Sequence, residues 1–115
     1  MPDRVVRVKD GVQFSKIAPG GFRILEAVST VARRVGIDLT ITSACDGEHS
    51  GPNDPHHRGE AYDIRTHDMD VRMKAVVLNA LQALLPIEQF FSFLEAAGTD
   101  NEHFHIQVKK GTIYP

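Results

Sequence analysis

Residues 44–59 read ACDGEHSGPNDPHHRG, sixteen positions dense in glycine, proline, aspartate and asparagine. That composition punctuates regular structure and does not build it. In a chain of 115 residues, a structureless stretch so long is uncommon and is usually functional. The packed elements must lie on either side of it. At this length they form one domain, residues 1–115, with a single core.

Periodicity places those elements. VVRVK (5–9) reads as a short strand, and DGVQFSKIAPGG as a loop ending in Pro19-Gly20-Gly21. From Phe22 to Val35 the apolar residues Ile24, Leu25, Val28, Val31, Ala32 and Val35 make a helical stripe, which Gly36 closes. IDLTITS (37–43) alternates as a strand, with Ile37, Leu39 and Ile41 on one face. Beyond the loop, EAYDIRT (60–66) puts Tyr62 and Ile64 on one side and Ala61, Asp63 and Arg65 on the other. Asp70 is placed to cap a second helix running to about Leu85, ahead of Pro86. FFSFLE (90–95) and HFHIQV (103–108) read as two last strands joined by the turn AAGTDN, with FFSF assigned to the core and a rim phenylalanine left open as a substrate contact. In the last strand Phe104, Ile106 and Val108 point inward, leaving His103, His105 and Gln107 on the opposite face. The order predicts an α+β fold, a mainly antiparallel sheet with two helices packed on one side.

Several functional classes are disfavoured. Thirteen basic residues against fifteen acidic ones leave a net charge of −2, which offers no footprint for nucleic acid. No apolar run approaches the ~20 residues needed to cross a bilayer, and MPDRVVRVKD lacks the apolar segment of a secretory signal. The expectation is a monomer made in the cytoplasm, with no membrane partner, whose export would need another route. One cysteine, Cys45, excludes an internal disulfide.

NDPHHRGEAYDIRTHD (53–68) sets imidazoles and a carboxylate close together where a strand begins. A metal site, a histidine–carboxylate catalytic pair and a polar loop rich in histidine all accommodate it. Asp63 lies on the polar face of its strand, and His105 on the polar face of another. If those strands are neighbours, the two side chains converge and His56 folds over from the loop. Two imidazoles and one carboxylate leave a fourth tetrahedral position for water, as in a catalytic zinc site. Glu102, three residues before His105, is then the candidate base for that water. Strand parity sets 102 and 105 on opposite faces, so this role requires Glu102 to sit in the turn before pairing begins.

The joint pattern H-x-x-G-x-A-x-D followed by E-x-x-H, in HHRGEAYD (56–63) and EHFH (102–105), resembles the signatures of the zinc D-Ala-D-Ala peptidase family. That family includes D,D-carboxypeptidases and L-alanyl-D-glutamate endopeptidases, and Hedgehog signalling domains share its fold. The likeness covers roughly residues 22–110 by element order. It implies His56, Asp63 and His105 as ligands of a Zn2+ ion, Glu102 as the base that activates zinc-bound water, and peptidoglycan stem peptides as substrate. The segment DGEHS (46–50) is similar to the Hedgehog and small phage-type branches, and by that likeness His49 lines the active-site cleft.

The sequence also departs from the family. An aromatic residue and an arginine often follow the T-S step, but here Cys45 and Asp46 stand there, leaving Arg58 or Arg65 as substitutes. Asp54 replaces a serine two residues before the first ligand. His57 is expected to be exposed, and His103 to lie beside the site as an outer partner. Two further readings stay open: a zinc-holding, Hedgehog-like binding module without turnover, and a metal-free hydrolase using Cys45 as nucleophile.

Overall fold

The computed structural model describes residues 4–46 and 54–109. Seven elements follow in order: β1 (Val6–Val8), α1 (Pro19–Val35), β2 (Leu39–Ser43), β3 (Ala61–Arg65), α2 (Val71–Leu84), β4 (Phe90–Glu95) and β5 (His103–Val108). The strands form one sheet in the order β1-β2-β3-β5-β4. The fold is α+β, as expected, but the sheet is mixed. β1 pairs parallel with β2, while β2–β3, β3–β5 and β5–β4 are antiparallel. A parallel neighbour needs a long crossover, and α1 supplies it.

Register decides which side chains share a face. Tyr62 pairs with Ile106, and Ile64 with Phe104; Phe90 pairs with Val108. All six are buried in the core with Ile24, Val28 and Val31 of α1 and Val77 and Leu81 of α2. The alternating positions form rows on the other face: Asp63, His105 and Phe93 in one, Arg65, His103 and Glu95 in the next. Core packing thus fixes the polar face without any contact made on it. A one-residue slip of β3 or β5 would carry its ring or carboxylate into the core.

α1 starts at Pro19, three residues earlier than the apolar stripe suggested. Proline suits a first helical position, where the missing N–H has no partner to lose, and Gly20 and Gly21 are buried in that first turn. Gly21 has a packing reason: a Cβ there would meet the Gly59 carbonyl oxygen at 2.1 Å. The Ala18 amide donates to that same oxygen at 3.1 Å. The start of α1 and the turn before β3 are therefore clamped backbone to backbone.

Gly36 caps α1 in the left-handed conformation, and the Asp70 side chain caps α2 by accepting from the Met73 amide at 2.7 Å. FFSF is only partly core: Phe90 is buried, whereas Phe91 and Phe93 are 43% and 41% exposed. Period-2 alternation splits the run between the faces, and hydropathy alone does not reveal which phenylalanines face solvent. No helix among the described residues is long and apolar enough to cross a membrane.

Candidate metal centre

The helix-free face carries a cleft of about 1030 Å³ whose lining includes His56, Asp63, Arg65, Phe93, His103 and His105. β3 and β5 bring Asp63 and His105 into direct register. His56 comes from the turn before β3, closed by Gly59 N–H to His56 C=O at 3.1 Å. Gly59 has φ +73, and a Cβ there would lie 2.5 Å from the Lys16 carbonyl oxygen. That is why the turn requires glycine.

One oxygen of Asp63 is the point of convergence. Oδ1 lies 3.3 Å from His56 Nε2 and 3.0 Å from His105 Nδ1. His56 Nδ1 sits 3.0 Å from the Ala44 carbonyl oxygen. A carbonyl only accepts, so Nδ1 carries the proton, and a neutral His56 turns its Nε2 lone pair towards Asp63. His105 Nε2 sits 2.6 Å from Gln107 Oε1, so a neutral His105 turns its Nδ1 lone pair to the same oxygen. Outer partners of this kind fix tautomers in metal sites. With both rings neutral, three acceptors face one another, an arrangement that calls for a cation. Donor atoms about 2.1 Å from a tetrahedral centre lie roughly 3.4 Å apart, close to the separations seen.

Protons serve this cluster when no cation does. Burial pushes the Asp63 carboxyl upwards, but hydrogen bonds from His105 and His56 and the nearby imidazole charges outweigh it, holding Asp63 well below the usual carboxylate range. Burial likewise pushes His105 down, and its hydrogen bonds to Asp63 and Gln107 reverse that, so His105 is raised. A metal here would compete with protons for the rings. All three side chains are largely buried, and the set is a nitrogen–oxygen donor group of the kind that zinc takes.

Glu102 also lines this cleft, and it does precede β5, as its expected role requires. Its carboxylate is already engaged. Oε2 accepts from Thr66 Oγ1 at 2.6 Å and pairs with Lys74 Nζ at 2.6 Å, and Oε1 accepts from the Gly98 amide at 3.2 Å. Lys74 first, then Thr66 and Gly98, hold it down to about 2. The sequence spacing gave no sign of Lys74, which comes from the first turns of α2. His49 lies outside the described residues.

The remaining candidates separate clearly. Arg58 pairs with Glu60 at 2.8 Å, whereas Arg65 lines the cleft. Asp46 accepts from the amides of Ala44 and Gln13, so its position now ties the loop to the end of β2. Cys45 is buried with its thiol against the Lys16 carbonyl at 3.4 Å. His57 is half-buried, not exposed as expected. Phe93 lies tilted against His105 with ring centroids 5.3 Å apart and lines the cleft, the rim position left open for one phenylalanine of FFSF.

Comparison of the chain with protein-family models, with curated proteins and with solved structures finds no match. The fold and cleft define an α+β protein with a candidate metal centre on its open sheet face, and function has to follow from the chemistry of that cleft.

Proposed function

We propose that this chain is a zinc-dependent peptidase with a D,D-peptidase-like, Hedgehog-like fold, acting on the stem peptides of peptidoglycan. The observation that carries the reading is the meeting of His56, Asp63 and His105 through ring nitrogens whose other nitrogens are bound elsewhere. Bound zinc supplies a Lewis acid that polarises a carbonyl and makes water a nucleophile near neutral pH. His56 and His105 would hold the ion as neutral rings, fixed by Ala44 and Gln107, and Asp63 would supply the negative charge.

Glu102 takes the proton of the attacking water and passes it to the leaving amine. Lys74 and Thr66 hold its carboxylate in place, and their hydrogen bonds lower its basicity, so the water's acidity would have to come from the bound ion. Arg65, on the same face as Asp63, takes the place of the family arginine in meeting substrate carboxylate or developing charge. Phe93 gives the cleft an apolar wall beside His105.

Metal analysis of the purified protein, with digestion of isolated peptidoglycan and mass identification of the fragments, tests this. Release of peptide fragments that stops with chelator and returns with zinc supports it. Protein that takes up no zinc ends it. One observation favours a second reading, a zinc-holding binding module without turnover: the Glu102 carboxylate is paired with Lys74. Glu102→Gln separates the two. An enzyme loses turnover with zinc retained, while a binding module shows no turnover in either form.

A further inference from the structure

Beside the metal ligands the cleft presents acceptors that the peptidase reading leaves unused. His103 Nδ1 sits 2.7 Å from the Asn101 carbonyl oxygen. A carbonyl only accepts, so Nδ1 carries a proton and a neutral ring turns its Nε2 lone pair into the cleft. There Nε2 lies 3.2 Å from Glu95 Oε1, acceptor against acceptor. Nε2 is buried and makes no hydrogen bond among the described residues, so even a protonated ring forms none to Glu95. Register holds the two residues opposite each other on β4 and β5. The Glu95 side chain is 44% exposed and that of His103 only 13%. Glu95 is therefore the member that reaches a ligand, and His103 is the wall behind it.

Ligand atoms of Glu95, His103 and His105 lie within 4.8 Å of one another. An ion about 2.1 Å from His105 would stand within roughly 7 Å of the Glu95 carboxylate, the span of about two residues of extended chain. The charge of the cleft has the same bias. Its lining carries Asp54, Asp63, Asp68, Glu95, Asp100 and Glu102 against Lys9 and Arg65. Setting Lys74 against Glu102 and a divalent ion against Asp63 still leaves negative charge in excess. Asp68 and Asp100 are exposed and screened by water and salt, and Asp54 accepts from the His56 amide. Glu95 shares its strand face with Phe93 and backs onto a mostly buried ring, where attraction is stronger. We propose that the peptide taken by this cleft carries a primary ammonium group within about two residues of the scissile bond, bound by Glu95 with His103 behind it. The group is a free peptide N-terminus or the side-chain amine of a diamino acid. Its three donors meet the carboxylate and, as the half-exposed Glu95 side chain swings outward, the Nε2 lone pair. This deepens the peptidase reading and rests on it, since the cleft must take a peptide at all.

The test is calorimetric binding to the zinc-loaded full chain, with zinc content determined first. One probe pair is L-alanyl-D-glutamate and its N-acetyl form, and the other is Nα-acetyl-lysine amide and its ε-acetylated form. Wild type is expected to bind an ammonium-bearing probe at least about tenfold more tightly than its acetylated partner, the size of one charged hydrogen bond. The pair that shows the difference identifies the source of the ammonium. Glu95→Gln, an isosteric change at a half-exposed position, should abolish the difference with zinc content unchanged. Glu95→Asp keeps the charge and should retain part of it. Equal binding of free and acetylated forms in both pairs overturns the proposal, as does absence of binding by all four probes or a preference that survives Glu95→Gln. Zinc-dependent release of peptidoglycan fragments alongside any of these results leaves the peptidase reading standing. A preference lost in Glu95→Gln but accompanied by no cleavage keeps the ammonium subsite and removes the peptidase. Protein that takes up no zinc removes both readings together.

Discussion

Gly21→Ala adds one methyl group at the point where α1 meets the ligand loop. The new Cβ would lie 2.1 Å from the Gly59 carbonyl oxygen and 3.0 Å from the Tyr62 hydroxyl. Ordinary contact begins near 3.4 Å, so one backbone must retreat by roughly 1.3 Å from a well-packed position. Neither is free to do so. Gly59 is held by Ala18 on one side and by its own amide bond to the His56 carbonyl on the other. Overpacking costs about 1–3 kcal/mol, and losing the Ala18–Gly59 hydrogen bond adds about 1 kcal/mol. Against this, alanine gains at most ~1 kcal/mol of helix propensity. A net loss of about 1–3 kcal/mol should lower the melting temperature by roughly 4–12 °C in a chain of this size. Because His56 rides on the same turn, zinc affinity should fall as well. Gly36→Ala is the control. Its φ is +83 with nothing within 4 Å of the added Cβ, so it should cost only ~1 kcal/mol, through backbone strain, and leave zinc affinity alone. Thermal melting followed by circular dichroism, with zinc titration, reads both variants. If Gly21→Ala melts with Gly36→Ala or above it and binds zinc normally, the clamp between helix and ligand loop is refuted.

Zinc at a hundredfold excess over its dissociation constant should stabilise the wild type by about 2.7 kcal/mol. Asp63→Asn, His56→Ala and His105→Ala should show no zinc-dependent rise in melting temperature, and a preserved rise in all three would exclude this ligand set. Lys74→Met bears on acid stability. Glu102 is depressed from 4.5 to about 2, chiefly by Lys74, so its pairing stabilises the fold above pH 4.5 and is lost as pH falls towards 2. The variant should be the less stable at neutral pH, and its deficit should shrink across that window in acid-unfolding curves. A deficit that is constant with pH would place the role of Lys74 in packing instead. Cys45→Ala should leave zinc binding and chelator-sensitive hydrolysis in place. Activity that survives chelator but not this substitution would instead identify a thiol hydrolase.

The chain carried its element types openly. A stripe from Ile24 to Val35 has no stable place except a helix with one buried face, and clean alternation in residues 60–66 and 103–108 put Asp63 and His105 opposite core-facing neighbours. Local periodicity determines these features, because side-chain direction follows backbone repeat. The helix start at Pro19, the parallel pairing of β1 and the exposure of Phe93 were not legible. Each depends on what lies across a gap: Gly59 against Gly21, β2 beside β1, and His105 beneath the Phe93 ring.

The same division runs through the site. Motif spacing nominated His56, Asp63 and His105, but only the neighbouring placement of β3 and β5 made the three meet at one oxygen. Glu102 was nominated by its distance along the chain from His105, and the tertiary structure supplied Lys74 from α2, Thr66 and Gly98 to occupy its carboxylate. Glu95 drew no notice in the linear order and meets His103 through cross-strand register alone. The sequence by itself nominated the candidate residues and determined which face each strand residue takes, since facing is a local property of a strand. Strand order and helix docking decided which of them touch, because contact between residues forty positions apart has no local cause.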